Sequence, residues 1–171
     1  MAVALLREEL VEYSVLRAIR AGLPAYGYTL LLADRSNLAS ANLEVREAFP
    51  TPEERSAELG ITTLAFGFNV DDGGRLMELG SNLTEYTHTL TCWTFGLEPH
   101  FARRVAHTIK HIARGGNDSI PLLDFNQDGD PQIGVLPVEK VPVQHQVNSS
   151  ARPWDRYVWT SAIVVQDVFF P

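Results

Sequence analysis

Apolar and polar positions change their period inside one stretch of the chain, from Glu85 to Gly116. Over Glu85–Cys92 the alternation is strict: Tyr86, His88, Leu90 and Cys92 fall on one side, and Glu85, Thr87, Thr89 and Thr91 on the other. A period of two with a Thr-rich polar side predicts a strand with one buried face. From Pro99 to Arg114 the period becomes helical. Phe101, Ala102, Val105, Ile109, Ile112 and Ala113 gather on one side, and His100, Arg103, Arg104, His107, Lys110, His111 and Arg114 on the other. Pro99 suits a first helical turn, and Gly115-Gly116 a stop. A domain core is expected to form around this strand and helix.

The flanks are read the same way. Val3–Arg20 predicts a first helix, with Glu8, Glu9 and Glu12 early and Arg17 and Arg20 late, as the helix dipole favours. Gly22 and Pro24 end it. Its apolar residues form two stripes, one of Val3, Leu6, Leu10 and Tyr13 and one of Val11, Val15, Ala18 and Ile19. Two neighbours are therefore expected, its own sheet and a second subunit. Tyr26–Ala33 reads as a strand. From Asp34 to Gly60 periodicity is lost, except that Thr51-Pro52-Glu53-Glu54 starts a short helix reaching Leu59. The stretch Asp34–Thr51 is long for a loop in a compact domain, which suggests a mobile surface loop or an arm ordered by a partner.

Ile61–Val70 and Arg75–Gly80 read as a hairpin around Asp71-Asp72-Gly73-Gly74. Asn117–Ser150 reads as an elaborated connection holding strand-like pieces at Gln132–Val138 and Val141–Val147. Asp155–Phe170 is β-rich, and at about 3.3 Å per residue it would extend roughly 50 Å, so it is expected to bend or to run past its own sheet. The whole is a single α+β domain over residues 1–171: a mostly antiparallel sheet packed against two main helices, with long insertions at 34–60 and 117–150.

Hydrophobic content of 45% and charged content of 20% over 171 residues suit one ordinary globular core. The formal net charge of −7 argues against non-specific nucleic-acid binding by the whole surface. The lone cysteine, Cys92, excludes an internal disulfide and a multi-cysteine metal site; its place on the apolar side of a strand predicts a buried, inert thiol. Acids within the N-terminal apolar pattern do not suit a signal peptide, and no apolar run reaches membrane-spanning length. A soluble chain from a reducing compartment, without membrane contact, is the expectation.

Candidate chemistry is sparse. The segment from Asp124 through Asn126 and Asp128 to Asp130 opens like a calcium loop, with Gly129 at its sixth position, but Val135 stands where a bidentate Glu belongs. An acidic turn is expected there. His107 and His111 have metal-ligand spacing, yet Thr108 replaces the Glu of the zinc-protease pattern, and Arg103, Lys110 and Arg114 repel a cation. His88 and Cys92 share a strand face about 13 Å apart, too far for a nucleophile and its base. No catalytic set, cofactor motif or metal site is expected, and the chain reads as no enzyme.

The basic face of the second helix is the strongest electrostatic feature. It holds four of the chain's 14 Lys and Arg residues and no acid. Arg103, Arg104, His107, Lys110, His111 and Arg114 are therefore candidate partner contacts, and on an acidic chain another copy of itself qualifies as partner. DNA must overcome the net charge. Aromatic residues thicken toward the end, and Trp154, Phe169 and Phe170 join the candidate interface because exposed aromatic ends favour burial by a partner.

The order of elements resembles that of the tail terminator (tail completion) proteins of long-tailed bacteriophages. The likeness lies in an N-terminal helix, a strand, a long irregular excursion, the segment Ile61–Gly80, the unit Glu85–Arg114, and a final strand that runs from Trp154 through Tyr157, Trp159 and Ile163 to Asp167. The resemblance implies a structural virion protein that forms a ring, usually hexameric, at the head-proximal end of the tail tube. Such a ring stops tube growth and joins the head connector. The implied partners are further copies of the chain, the tail tube protein and a head–tail connector or stopper, with genomic DNA passing through the channel without specific binding. It implies assembly in the host cytoplasm, residence at the head–tail junction, and neither catalytic residues nor cofactor. This chain is larger than compact members, and the excess falls in 34–60 and 117–150. Two other readings stay open: another neck protein, such as a connector or stopper, and a small nucleic-acid-binding module that uses residues 99–114.

Overall fold

A computed structural model describes residues 4–46, 61–70, 75–76, 84–95, 98–115, 117–146 and 158–169, with backbone alone at 65–70, 75–76, 95, 146 and 169. Among them are two α-helices, α1 (Arg7–Gly22) and α2 (Pro99–Arg114). The strands are β1 (Leu43–Arg46), β2 (Thr62–Val70), β3 (Arg75–Leu76), β4 (Thr84–Phe95), β5 (Ser119–Leu123), β6 (Gln132–Lys140), β7 (Val143–Gln146) and β8 (Val158–Phe169). They form one sheet in the order β1-β2-β4-β8-β6-β5, with β3 also on β4 and β7 also on β8. Only β1 with β2 is parallel. The architecture is the α+β class expected from the sequence.

The centre is the ribbon of β4 and β8, paired without a break from Thr84↔Phe169 to Phe95↔Val158. Its inward partners, His88 with Val165, Leu90 with Ile163 and Cys92 with Ser161, are all buried. That is the alternating face read from the sequence. β8 does not run past its sheet, because β4 accompanies it to its last residue.

α2 has the bounds its period predicts, with Pro99 in its first turn. Ala102, Val105, Ala106, Ile109 and Ala113 are fully buried. Small residues there let the backbone approach the sheet, and Ser161 Oγ on β8 donates to the Ala106 carbonyl oxygen at 2.9 Å. The helix stops at Gly115, as expected, with the Gly115 N–H donating to the Ile112 carbonyl at 3.1 Å. Gly115 is extended (φ −63°), and Asn117 and Asp118 take the left-handed conformation (φ 75° and 49°). Asn and Asp tolerate it because a short polar side chain can bond locally to the backbone.

α1 starts at Arg7, later than the periodicity suggested. Asn126 keeps the preceding residues out of the helix: its Oδ1 accepts the Leu5 N–H at 2.6 Å and its Nδ2 donates to the Leu5 carbonyl at 3.1 Å. Glu9 accepts the Leu6 N–H at 2.7 Å, satisfying a donor at the helix start. Val11, Val15 and Ile19 of the second stripe are buried, as is Leu10 of the first. Leu6 and Tyr13 of the first stripe are exposed, and Tyr13 meets the Phe125 ring edge-on at 5.9 Å. At its C-terminal end α1 abuts α2 so closely that a Cβ on Gly22 would lie 2.6 Å from Ile112 Cγ2.

Several sequence expectations are corrected. Tyr26–Ala33 is not a strand: a 3-10 turn spans Leu23–Tyr26, Gly27 turns the chain at φ 85°, and only Leu30 forms a β-bridge, to Leu43. Asparagine side chains stand in for strand partners here. Asn37 accepts the Leu32 N–H and donates to the Leu30 carbonyl, and Asn42 accepts the Thr29 N–H. The excursion after Asp34 is not one long loop, since a series of turns leads into β1, which pairs with β2. The helix expected at Thr51–Leu59 lies outside the described residues.

β2 and β3 are not hairpin partners. Both lie antiparallel along the same edge of β4, through Val70↔His88 and Arg75↔Glu85, so they run in the same direction. The strand-like pieces expected at Gln132–Val138 and Val141–Val147 are β6 and β7, but Asn117–Ser150 is more than a connection, because β5, β6 and β7 extend the sheet on the far side of β8.

Candidate functional site

The solvent face of α2 follows from its phase. With 102, 105, 106, 109 and 113 buried against the sheet, the residues on the opposite side must face water. His100, Arg103, Arg104, Lys110, His111 and Arg114 are exposed and His107 is half-buried. Arg114 is tied down: Nη2 donates to the Glu139 carbonyl at 3.2 Å and Nη1 lies 3.6 Å from Asp118. Among the described residues no carboxylate lies within ion-pair reach of Arg103, Arg104 or Lys110.

Trp159 of β8 fixes the N-terminal half of this face. The Arg103 guanidinium lies 5.6 Å from its ring centroid, and the His107 ring lies 6.0 Å away. His145 of β7, its cross-strand partner, stacks on it at 4.6 Å and 27°. Partial burial and the charges of Arg103, Lys110 and His111 all hold the His107 pKa below its ordinary value, burial contributing most. His107 is therefore a neutral ring near pH 7, and the fixed positive charge is carried by the Arg and Lys side chains.

Six of the nine interface candidates thus come together on one surface. Trp154 and Phe170 lie outside the described residues, and Phe169 is described by its backbone alone, paired with Thr84 at the end of the ribbon. The contributions of Trp159 and His145 to the site were not legible. Their contact arises from β7–β8 register, which alternation within either strand does not reveal.

The acidic loop between β5 and β6 uses its oxygens within the fold. Asp124 accepts from the Asn126 N–H and from Gln127 Nε2, Asn126 clasps Leu5, and Asp130 pairs with Arg17. Beside it an apolar hollow of about 650 Å³ is lined by Leu5, Tyr13, Leu16, Arg17 and Phe125, with the Arg17 guanidinium 5.8 Å from the Phe125 centroid. Cys92 is fully buried, and burial drives its thiol pKa far upward. His88 is buried on the same face, four residues away with Leu90 between them.

Among the described residues no three His, Cys, Asp or Glu side chains converge as metal ligands, and no helix is long and apolar enough to cross a membrane. No family model matches the chain, and comparison with curated proteins finds no match.

Proposed function

We propose that this chain is a structural virion protein, a ring-forming tail terminator that caps the head-proximal end of a phage tail tube and joins it to the head connector or stopper. The observation that carries the reading is the exposed face of α2, on which Arg103, Arg104 and Lys110 have no carboxylate partner among the described residues of an acidic chain. A surface of that kind favours a neighbour. A ring of copies offers one through heterologous contacts, where a basic patch meets a different, acidic patch. The elements of the tail-terminator resemblance that remain, an N-terminal helix, the strand-and-helix unit Glu85–Arg114 and a long final strand, support the same reading. The net charge of −7 also suits a channel through which DNA passes without sticking.

Loss of the protein from the phage that encodes it tests this directly. Abnormally long tails without heads are expected, and the protein should be found in purified wild-type particles. Tails of normal length that fail to join heads would favour a connector or stopper. Absence from particles, combined with salt-dependent DNA affinity lost in Arg104→Ala/Lys110→Ala, would favour the nucleic-acid-binding module instead.

A further inference from the structure

Charge is separated along the molecule. Trp159 of β8 lies beneath Arg103 and His107 of α2, whereas Asp167 of the same strand pairs with Arg7 of α1. At about 3.3 Å per residue these points are roughly 26 Å apart. The β5–β6 loop meets the far end where Asn126 clasps Leu5, and runs along α1 to Asp130, which pairs with Arg17 about 15 Å nearer the Gly22 end of that helix. The guanidiniums of Arg7 and Arg17 are matched there by Asp167 and Asp130. Glu8, Glu9, Glu12, Asp124 and Asp128 then outnumber Arg20, which lines the same hollow as Arg17, and leave the α1/β5–β6 surface with an excess of negative charge. Leu6, 67% exposed, sits among them as an apolar centre. With a screening length of about 8 Å at physiological salt, the two ends act as separate patches of opposite sign.

Resting on the ring reading above, we infer that the basic face of α2 in one copy docks on the acidic α1/β5–β6 end of the next copy. The contact is head-to-tail: the two surfaces differ, so each copy keeps one of each to offer and the series closes only as a ring. A second copy is favoured over nucleic acid because the complementary surface is on this same chain, and the acidic end repels phosphate.

Paired charge reversals provide the test. Arg104→Glu/Lys110→Glu makes both ends negative; Glu8→Lys/Asp128→Lys makes both positive. All four side chains are exposed, and circular dichroism melts establish that each variant folds. In sedimentation velocity at low salt, the wild type is expected to form oligomers that weaken as salt is raised. Each variant alone should associate about tenfold or more weakly. An equimolar mixture should regain the oligomer, since reversed α2 meets reversed end and native α2 meets native end. Wild-type oligomers unaffected by either variant, or a mixture that stays dissociated, would overturn this contact while leaving the ring reading standing. A wild type that remains monomeric at all concentrations would overturn the contact, and its absence from particles would overturn the ring reading as well.

Discussion

The Arg7 guanidinium holds the Asp167 carboxylate through two bonds, Nε to Oδ2 at 2.7 Å and Nη2 to Oδ1 at 2.6 Å. They join the first residue of α1 to the end of the central strand. The Asp167 side chain is 3% exposed and that of Arg7 30%, so the carboxylate depends on its partner far more than the reverse. Arg7→Ala leaves a buried charge uncompensated and should lower unfolding free energy by about 2–3 kcal/mol, somewhat less than a fully buried pair because Arg7 reaches water. Arg7→Met/Asp167→Leu should recover most of that loss. Urea denaturation of the three chains checks both statements.

His88 sets a pH dependence. Burial holds its pKa below the ordinary value of 6.5; Asp167 and Glu8 pull it upward and Arg7 pushes it down, without reversing the effect of burial. The folded chain thus binds fewer protons than the unfolded chain in mild acid. Stability is fully present above 6.5 and declines as pH falls from there toward the folded pKa. His107 shifts in the same direction and adds to the slope. Urea midpoints measured between about pH 7.5 and 5.5 should therefore fall with acid in the wild type, and fall less in His88→Gln.

Gly22 is required by the approach of α1 to α2. A Cβ there would lie 2.6 Å from Ile112 Cγ2 and 3.0 Å from Cγ1, inside van der Waals contact. Gly22→Ala raises helix propensity by about 0.5–1 kcal/mol but overpacks this crossing, with an expected net loss of about 1–2 kcal/mol. Ile112→Ala removes the clashing methyl group. The double variant should be more stable than the sum of the two single losses allows, as a double-mutant cycle would measure.

Ser14 connects α1 to the sheet edge. Its hydroxyl donates to the Leu10 carbonyl at 2.6 Å and accepts the Leu123 N–H at 2.9 Å. Ser14→Ala strands that N–H at a part-buried site, at a cost of about 1–2 kcal/mol. Hydrogen exchange at the Leu123 amide should accelerate more than at Leu122 or Ile120, which localises the loss to the bond.

Periodic burial made part of this molecule readable. α2 has its expected bounds because one face of 16 residues is buried and the other is wet. The inward set of β4 was readable for the same reason. The face that carries the proposed contact follows directly from the α2 pattern. β1 was not readable, since four residues with mixed burial carry no period. The apparent strand at Tyr26–Ala33 misled because its apolar run suits a strand, while beyond the single bridge to Leu43 the side-chain amides of Asn37 and Asn42 take up the backbone groups of Thr29, Leu30 and Leu32.

By itself, then, the sequence determined which side of α2 and of β4 turns inward, and that one helix face is wholly basic; of the two α1 stripes it offered, only the one with Val11, Val15 and Ile19 is buried throughout its core positions. Only the tertiary structure decided which strands are neighbours: β3 following β2 along β4, β4 accompanying β8 throughout, and β5–β7 extending the sheet. It also placed Asn126 on Leu5, Trp159 under Arg103, and the acidic end away from the basic one. The reason is physical. Burial of a face is a local property that repeats with the backbone's own period, whereas a strand's partner depends on which distant edges remain unpaired.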